Sequence, residues 1–147
     1  SRSGGGGFQK GGDYMKKLDR FPSEAAAIDY LIQIGKANNR TGARKYLKAH
    51  VPLEPKYQEK IMQHLKKRYP KAYIWKAAAG PYSRGGVPDI IAMIDGRFYG
   101  FEVKRPYYGK PSDLQRQAIK AILANGGYAG TVCFPEEAER IIERSRQ

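Results

Sequence analysis

Cysteine and acidic side chains are scarce in this chain of 147 residues. Its single cysteine, Cys133, excludes an internal disulfide framework, so a reducing, cytoplasmic location is expected. Lysine and arginine together number 27 against 14 aspartates and glutamates, which gives a formal net charge of +13. That excess favours a polyanionic partner. Because the sequence has no apolar run long enough to span a membrane and no visible signal peptide, nucleic acid is favoured over a membrane surface.

The two histidines, His50 and His64, are isolated in the sequence, and with one cysteine they form no cluster at the spacing of a zinc site. The length predicts one compact domain with a small appendage. Residues 1–14 are glycine-rich and polar, so we expect a disordered segment or an expression remnant, with Met15 as a plausible native start. Residues 15–52 are expected to form an N-terminal helical extension, and residues 53–147 the main domain.

The N-terminal extension has the pattern of two helices. Ser23 is a good N-cap for the first helix, and the second runs from about Thr41, its expected cap, to Ala49. Arg44 and Lys45 in the second helix are expected to make non-specific phosphate contacts. The pair also allows a helix-turn-helix that reads the major groove, although two short helices lack the third helix that such modules need.

The most informative stretch, residues 85–105, reads GGVPDIIAMIDGRFYGFEVKR. Two apolar, strand-like runs flank Asp95-Gly96, a dipeptide typical of a two-residue hairpin turn because both residues tolerate a positive φ. If these two residues form the turn, Asp89 lies opposite Glu102. Because residues i and i+2 of a strand share a face, Lys104 joins the two acids.

Two carboxylates that face each other across this hairpin need compensation. Their Cβ atoms would lie about 5 Å apart, and at an effective dielectric of about 20 their repulsion is on the order of 3 kcal/mol. A raised pKa, a salt bridge to Lys104 or a bound divalent cation would each relieve it. Both hairpin faces are otherwise mostly apolar, which predicts a central sheet covered on both sides. The alternative is that Asp89 starts a strand, while Glu102 and Lys104 are exposed charges on an edge strand.

The segments Gly86-Val87-Pro88-Asp89 and Phe101-Glu102-Val103-Lys104 resemble the PD-(D/E)xK nuclease superfamily, and within it the virus-type replication-repair nuclease (VRR-NUC) family. The resemblance covers roughly residues 54–133. Further matching features are Trp75-Lys76 ahead of a glycine-rich loop, Ser83-Arg84-Gly85-Gly86 leading into Pro88, and Ser112-x-x-Gln115 opening a helix that ends at Gly126-Gly127.

The fold implied by the resemblance is α/β. It consists of a PD-(D/E)xK nuclease-like core, in which a central mixed β-sheet is flanked by helices, with a small N-terminal helical extension. Residues 53–147 would be the VRR-NUC-like nuclease domain. The order of patterns along the main domain, a helix, three strands, a helix, a strand and a helix, agrees with such a core.

The resemblance also implies a metal site. Asp89, Glu102 and the carbonyl oxygen of Val103 would bind Mg²⁺, and Mn²⁺ would be able to substitute, because hard cations prefer oxygen ligands. Lys104 would orient the attacking water or stabilise charge on the phosphate.

Two further residues are implied near the site. Gln115 would approach it from the first turn of its helix. Glu54 would approach the metal from another helix, with Gln58 one turn later. Glu59 would replace Glu54 if that helix were rotated, and the plain structural alternative is that Glu54 only interacts with the helix dipole.

Basic loops on either side of the hairpin are expected to contact nucleic acid. Lys76, just before the first loop, is one expected contact. The loop itself contains Ser83 and Arg84, which either hold a phosphate together with backbone N–H groups or form an ordinary solvated connection. The loop after the hairpin contributes Arg105 and Lys110. The tyrosines between them suit a sugar-phosphate edge, an unpaired base or simple packing.

The implied function is a Mg²⁺-dependent, structure-selective DNA endonuclease that hydrolyses phosphodiester bonds and leaves 5′-phosphate and 3′-hydroxyl ends. The expected substrate is branched or flapped DNA, as for a Holliday-junction or flap nuclease in phage or bacterial replication and repair. The expected assembly is a homodimer, whose symmetry suits paired cuts. Two alternatives stay open: a non-cleaving nucleic-acid-binding or assembly protein on a nuclease fold, and a sequence-specific restriction-type endonuclease.

Overall fold

The computed structural model describes residues 15–78 and 85–147. The chain divides between Val51 and Pro52 into two compact units. The glycine-rich segment 1–14 and the predicted phosphate-binding residues Ser83 and Arg84 lie outside the described residues. Of the helices in the described ranges, none combines the length and apolarity that crossing a lipid bilayer requires.

The first unit contains a pair of packed helices, as predicted. Ser23 caps the first by accepting a hydrogen bond from the backbone of Ala26 at 3.1 Å. The second is capped by Asn39, which accepts from the backbone of Gly42 at 2.8 Å, so the predicted cap at Thr41 is wrong by two residues. Asn39 is the cap because its backbone is extended and its side chain can reach the N–H groups of the first turn, whereas Thr41 already lies inside the helix. The elements are a short 3₁₀ helix (Leu18–Arg20), α1 (Glu24–Gln33) and α2 (Arg40–His50).

The second unit is a four-stranded mixed sheet with helices, in the order predicted from the sequence. This α/β architecture confirms the predicted fold class. Strand order is the same as chain order, with two antiparallel pairings followed by one parallel pairing. The elements are α3 (Glu54–Arg68), β1 (Tyr73–Lys76), β2 (Ile90–Ile94), β3 (Arg97–Val103), α4 (Asp113–Ala124), β4 (Tyr128–Val132) and α5 (Pro135–Ser145).

The β2–β3 hairpin has the predicted register. Ile94 pairs with Arg97, and the ladder continues to Ile90 opposite Phe101. Asp95 and Gly96 form the turn with φ angles of 49° and 79°, the left-handed conformation that a two-residue hairpin turn requires. The turn therefore fixes which side chains share each face of the sheet.

One face of the sheet is covered by α5, with α3 packed beside it. The Tyr99 hydroxyl reaches Ser145 Oγ of α5 at 2.5 Å. A Cβ atom on Gly130 would lie 2.8 Å from Ile141 Cδ1, so glycine allows α5 to approach β4. Tyr99 and Phe101, which point to this face, are fully buried.

The other face is covered only in part, by α4. That helix packs over β3 and β4, and a Cβ atom on Gly100 would lie 3.1 Å from Ile122 Cδ1. None of the residues of α4 is buried, although its apolar stripe predicts burial through Leu114, Ala118, Ile119, Ile122 and Leu123. Leu114 is 57% exposed and Leu123 is 50% exposed, so the prediction is wrong for these two. A single helix covers only half of a four-stranded face, which leaves the edges of its stripe open.

Candidate functional site

Asp89 lies where the β2–β3 ladder ends. If the register continued, Pro88 would face Val103, but proline has no N–H group to donate. The Asp89 side chain takes over, and its Oδ2 accepts a hydrogen bond from the Val103 N–H at 2.8 Å. The Asp89 carbonyl also accepts from the Ala77 N–H at 2.8 Å. The residue is thus held between β1 and β3.

Two glycines allow the chain to reach this position. Gly86 has a φ of +85°, and a Cβ atom there would lie 2.6 Å from the Leu114 carbonyl oxygen. A Cβ atom on Gly100 would lie 2.9 Å from Pro88 Cγ. Because real Cβ contacts are not this short, both positions require glycine for the observed path. Close packing of the segment before Asp89 therefore positions the carboxylate.

Glu102 is a fully buried carboxylate, only 1% exposed. Neither of its carboxylate oxygens has a hydrogen-bond partner among the described residues. Burial, followed by the neighbouring Asp89 charge, raises the pKa of Glu102 to about 7, and Lys104 opposes the rise. Buried polar atoms are nearly always satisfied in folded proteins, so an orphaned carboxylate with a perturbed pKa indicates a site for a ligand.

Lys104 is the cation of the site. Its Nζ lies 3.1 Å from Glu102 Oε2, within ion-pair distance, and its side chain is only 13% exposed. It also lies 3.9 Å from Glu54 Oε1. One ammonium group thus stands among three carboxylates, because Asp89 acts electrostatically on both glutamates.

Glu54 faces this cluster from the first turn of α3. Burial raises its pKa, Lys104 lowers it and Asp89 raises it again. Gln58, buried one turn later, donates from Nε2 to Glu54 Oε2 at 3.4 Å. Glu59 is exposed and pairs with Lys56 at 3.5 Å. Of the two acids that the sequence left open, Glu54 is the one beside Lys104.

The donor set of the site is made of oxygen atoms, which fits a hard divalent cation. Within a strand the N–H and C=O groups of one residue point to the same edge. Since the Val103 N–H points to Asp89, the Val103 carbonyl points to the same side as that carboxylate. The described residues contain no group of three or more His, Cys, Asp or Glu side chains arranged for a metal. A cation here would complete its shell with the carbonyl, water or phosphate.

The predicted site residue Gln115 has a structural role at the start of α4. Its Oε1 accepts from the Ser112 N–H at 2.8 Å, and its own N–H donates to Ser112 Oγ at 3.2 Å. This reciprocal pair is a capping box. Its predicted approach to the acids stays a prediction.

Some of the predicted nucleic-acid contacts already have partners within the protein. Arg105 donates to the Pro52 carbonyl at 3.1 Å and lies 5.0 Å from the centre of the Tyr108 ring, so it holds the loop together. In the first unit, Arg44 pairs with Glu24 at 3.2 Å. Arg44 is nevertheless exposed, and so are the other described members of the predicted set, Lys45, Lys76 and Lys110.

A half-buried carboxylate with two partners was missed by sequence reasoning. Glu139 on α5 accepts a hydrogen bond from the Tyr69 hydroxyl at 2.7 Å and lies 2.9 Å from His64 Nε2. Burial, followed by Glu139, raises the pKa of Tyr69 to about 12. The partners are about 70 residues apart in sequence, so no local spacing connects them.

No family model matches the chain, and no curated protein matches it. A solved chain titled "VRR_NUC domain" is similar in structure, with 20% sequence identity and a TM-score of 0.47, over 59% of this chain and 95% of that chain.

Proposed function

We propose that this chain is a Mg²⁺-dependent, structure-selective DNA endonuclease that hydrolyses phosphodiester bonds. The observation that carries the proposal is the state of Glu102: a fully buried carboxylate beside a second carboxylate, whose oxygens have the Lys104 ion pair but no assigned hydrogen bond. A purely structural site would satisfy these atoms within the protein. A site that receives a cation and a phosphate leaves them for the ligand.

Asp89, Glu102 and the Val103 carbonyl would hold the cation. The chemistry that a bound divalent cation supplies is polarisation of a phosphate oxygen and a lower pKa for a coordinated water. Asp89 reaches this position already oriented by its hydrogen bond from Val103. Such orientation lowers the cost of assembling the site when the ligand binds.

Lys104 supports hydrolysis as a fixed positive charge. Its ammonium group, held between Glu102 and Glu54, would donate a hydrogen bond to the attacking water or to a phosphate oxygen as negative charge develops. Glu54 holds Lys104 from the α3 side. Its raised pKa makes it a candidate to accept the proton of that water.

The charge of the chain supports nucleic acid as substrate. A formal net charge of +13 attracts a polyanion from a distance and makes binding strongly dependent on salt. Lys76 follows Trp75 at the end of β1, and Lys110 lies in the loop beyond Lys104; both are exposed. As exposed cations, they are suited to contact phosphates.

Cleavage assays test the proposal directly. The full chain would be incubated with labelled linear, flap and four-way-junction DNA in Mg²⁺, in Mn²⁺ and in EDTA. We expect cleavage of branched or flapped DNA in either metal, none in EDTA, and none by Asp89→Ala. Cleavage by Asp89→Ala at the parental rate would overturn the catalytic assignment.

The same assay separates the two alternatives. A parent that binds DNA but never cuts it would favour the non-cleaving binding protein. Discrete fragments from fully paired plasmid DNA would favour a restriction-type enzyme. The homodimer stays a prediction, which analytical ultracentrifugation of the full chain tests.

A further inference from the structure

Two large aromatic side chains on β1 are exposed without an obvious structural reason. Tyr73 is 70% exposed and Trp75 is 40% exposed, whereas Tyr57, Tyr99 and Phe101 are fully buried. The centres of the two exposed rings are 5.0 Å apart, with the planes tilted by 46°. We call Tyr73 and Trp75 the aromatic pair. Adjacent exposed rings of this size are typical of a recognition surface rather than of a core.

The aromatic pair lies on the same sheet face as the proposed cleavage site. Trp75 pairs with Ile91, and Ile91 pairs with Gly100, so these side-chain positions share a face. Glu102, two residues after Gly100, points to that face as well. The helix α4 covers this face only in part. Among the described residues, both rings therefore keep the exposure given above.

The separation between the aromatic pair and the acids suits one nucleic-acid strand. Asp89 is one strand over from Trp75 and two residues along it. With strands about 4.8 Å apart and about 6.6 Å for two residues, their Cα atoms lie about 8 Å apart. A base that stacks on Trp75 would therefore belong to a nucleotide close to the phosphate at the carboxylates.

Charge and ring chemistry together identify the occupant. The net charge of +13 favours a polyanion over a second copy of this equally basic chain. Aromatic faces stack nucleobases of every sequence because each base has a π face. In a continuous duplex those faces are already stacked on neighbouring base pairs, so only an unpaired base can offer one.

We propose that the aromatic pair is a stacking platform for unpaired nucleotides next to the cleavage position. This inference rests on the proposed nuclease function and names its substrate class: DNA with single-stranded or splayed nucleotides, such as flaps and open junctions, rather than fully paired duplex. Stacking on Trp75 would hold the displaced strand while the adjoining phosphate meets Asp89 and Glu102.

Trp75 is the only tryptophan in the chain, so its fluorescence reports on the platform directly. The full chain in EDTA, which prevents cleavage, would be titrated with oligothymidylate and with an abasic strand of equal length and charge. We expect strong quenching by oligothymidylate and little by the abasic strand. Equal quenching by both strands, or by neither, would overturn the inference.

Binding by variants gives an independent readout. Trp75→Ala should weaken binding of oligothymidylate by about 5- to 100-fold, the usual effect of removing one stacking ring, and leave binding of blunt duplex unchanged. Trp75→Phe should retain much of the affinity. The matched control is Met93→Ala, because Met93 is a 41% exposed apolar neighbour opposite Tyr73 that lacks a ring. Equal losses in Trp75→Ala and Met93→Ala, or an equal loss for duplex, would contradict stacking.

A second copy of the chain on this surface is the competing occupant, and the experiments distinguish it. Dimerisation that shifts Trp75 emission with protein concentration and disappears in Trp75→Ala would overturn the inference. Failure of the proposed nuclease function is a separate outcome. Selective quenching without cleavage in any metal would support the stacking platform and contradict the nuclease function. Cleavage without selective quenching would support the nuclease function and contradict the platform.

Discussion

Glu102 and Glu139, two acids of the second unit, differ in whether their carboxylate oxygens have hydrogen-bond partners. Glu139 accepts a hydrogen bond from Tyr69 and lies beside His64, so both of its oxygens have partners inside the protein. Glu102 is more deeply buried, yet both of its oxygens lack a hydrogen-bond partner in the described chain. The difference is the one expected between a carboxylate that stabilises the fold and one that would receive the proposed cation.

The two carboxylates also differ in which elements of the fold supply their neighbours. The partners of Glu139 come from α3 and its C-terminal end, and the resulting contacts join α3 to α5. The neighbours of Glu102 come from the end of the hairpin and from the start of α3, where the sheet ladder ends. Where a strand ladder ends, backbone N–H and C=O groups no longer have a partner strand, so they are available to a binding site.

The largest expected effect is on activity. Asp89→Ala and Lys104→Ala should each reduce the single-turnover cleavage rate by at least about 100-fold, the scale seen when one electrostatic group is removed from a reaction site. Glu139→Ala should cleave at close to the parental rate at a temperature where it is folded. Equal losses in all three variants would erase the distinction between the two carboxylates.

The second prediction concerns the stability of the metal-free protein against pH. Because folding raises the pKa of Glu102 from 4.5 to about 7, the unfolded chain loses this proton at lower pH than the folded chain. The free energy of unfolding should therefore fall as pH rises from about 4.5 to about 7, by up to about 3 kcal/mol. Glu102→Gln should remove this fall and be more stable than the parent at pH 8. Urea unfolding in EDTA measures it, and a parental slope in Glu102→Gln would contradict the assigned cause.

A smaller loss is expected at the satisfied carboxylate. Glu139→Ala leaves the buried Tyr69 hydroxyl without its acceptor, which should cost about 1–3 kcal/mol of unfolding free energy. Tyr69→Phe removes both the donor and the need for an acceptor, so its combination with Glu139→Ala should lose less than the sum of the two single variants. Strict additivity in urea unfolding would show that the two groups do not interact.

The smallest effect is expected at the turn end of the hairpin. Asp95 pairs with Arg146 at 2.9 Å, but its side chain is 71% exposed. Asp95→Asn keeps the turn, since Asn-Gly also favours this geometry, and should change stability by less than about 1 kcal/mol because exposed ion pairs contribute little. A loss in thermal unfolding as large as that of Glu139→Ala would show that this charge matters more than its exposure implies.

The hairpin register was predictable from sequence because two local rules agree. Asp95-Gly96 defines the turn, and the two-residue period of a strand then assigns each side chain to a face. The order of helices and strands was predictable for a similar reason, since each element carries its own periodicity. The proximity of Asp89, Glu102 and Lys104 followed from that register.

What sequence could not supply are contacts between distant elements. The link between Glu139 and His64 depends on how α5 packs on α3, which no local spacing encodes. The stripe of α4 predicts burial, but whether Leu114 and Leu123 are covered depends on how much of the sheet one helix spans. The hydrogen bond from the Val103 N–H to Asp89 also depends on where Pro88 ends the ladder.

Calorimetric titration of Mn²⁺ into the metal-free full chain tests the central claim most directly. The account predicts one site per chain that is lost in Asp89→Ala and in Glu102→Gln and retained in Glu139→Ala. Near pH 6.5 binding should also release a proton, because Glu102 must ionise to bind; buffers of different ionisation heat detect that release. Mn²⁺ binding of parental affinity in Asp89→Ala and Glu102→Gln would contradict the account.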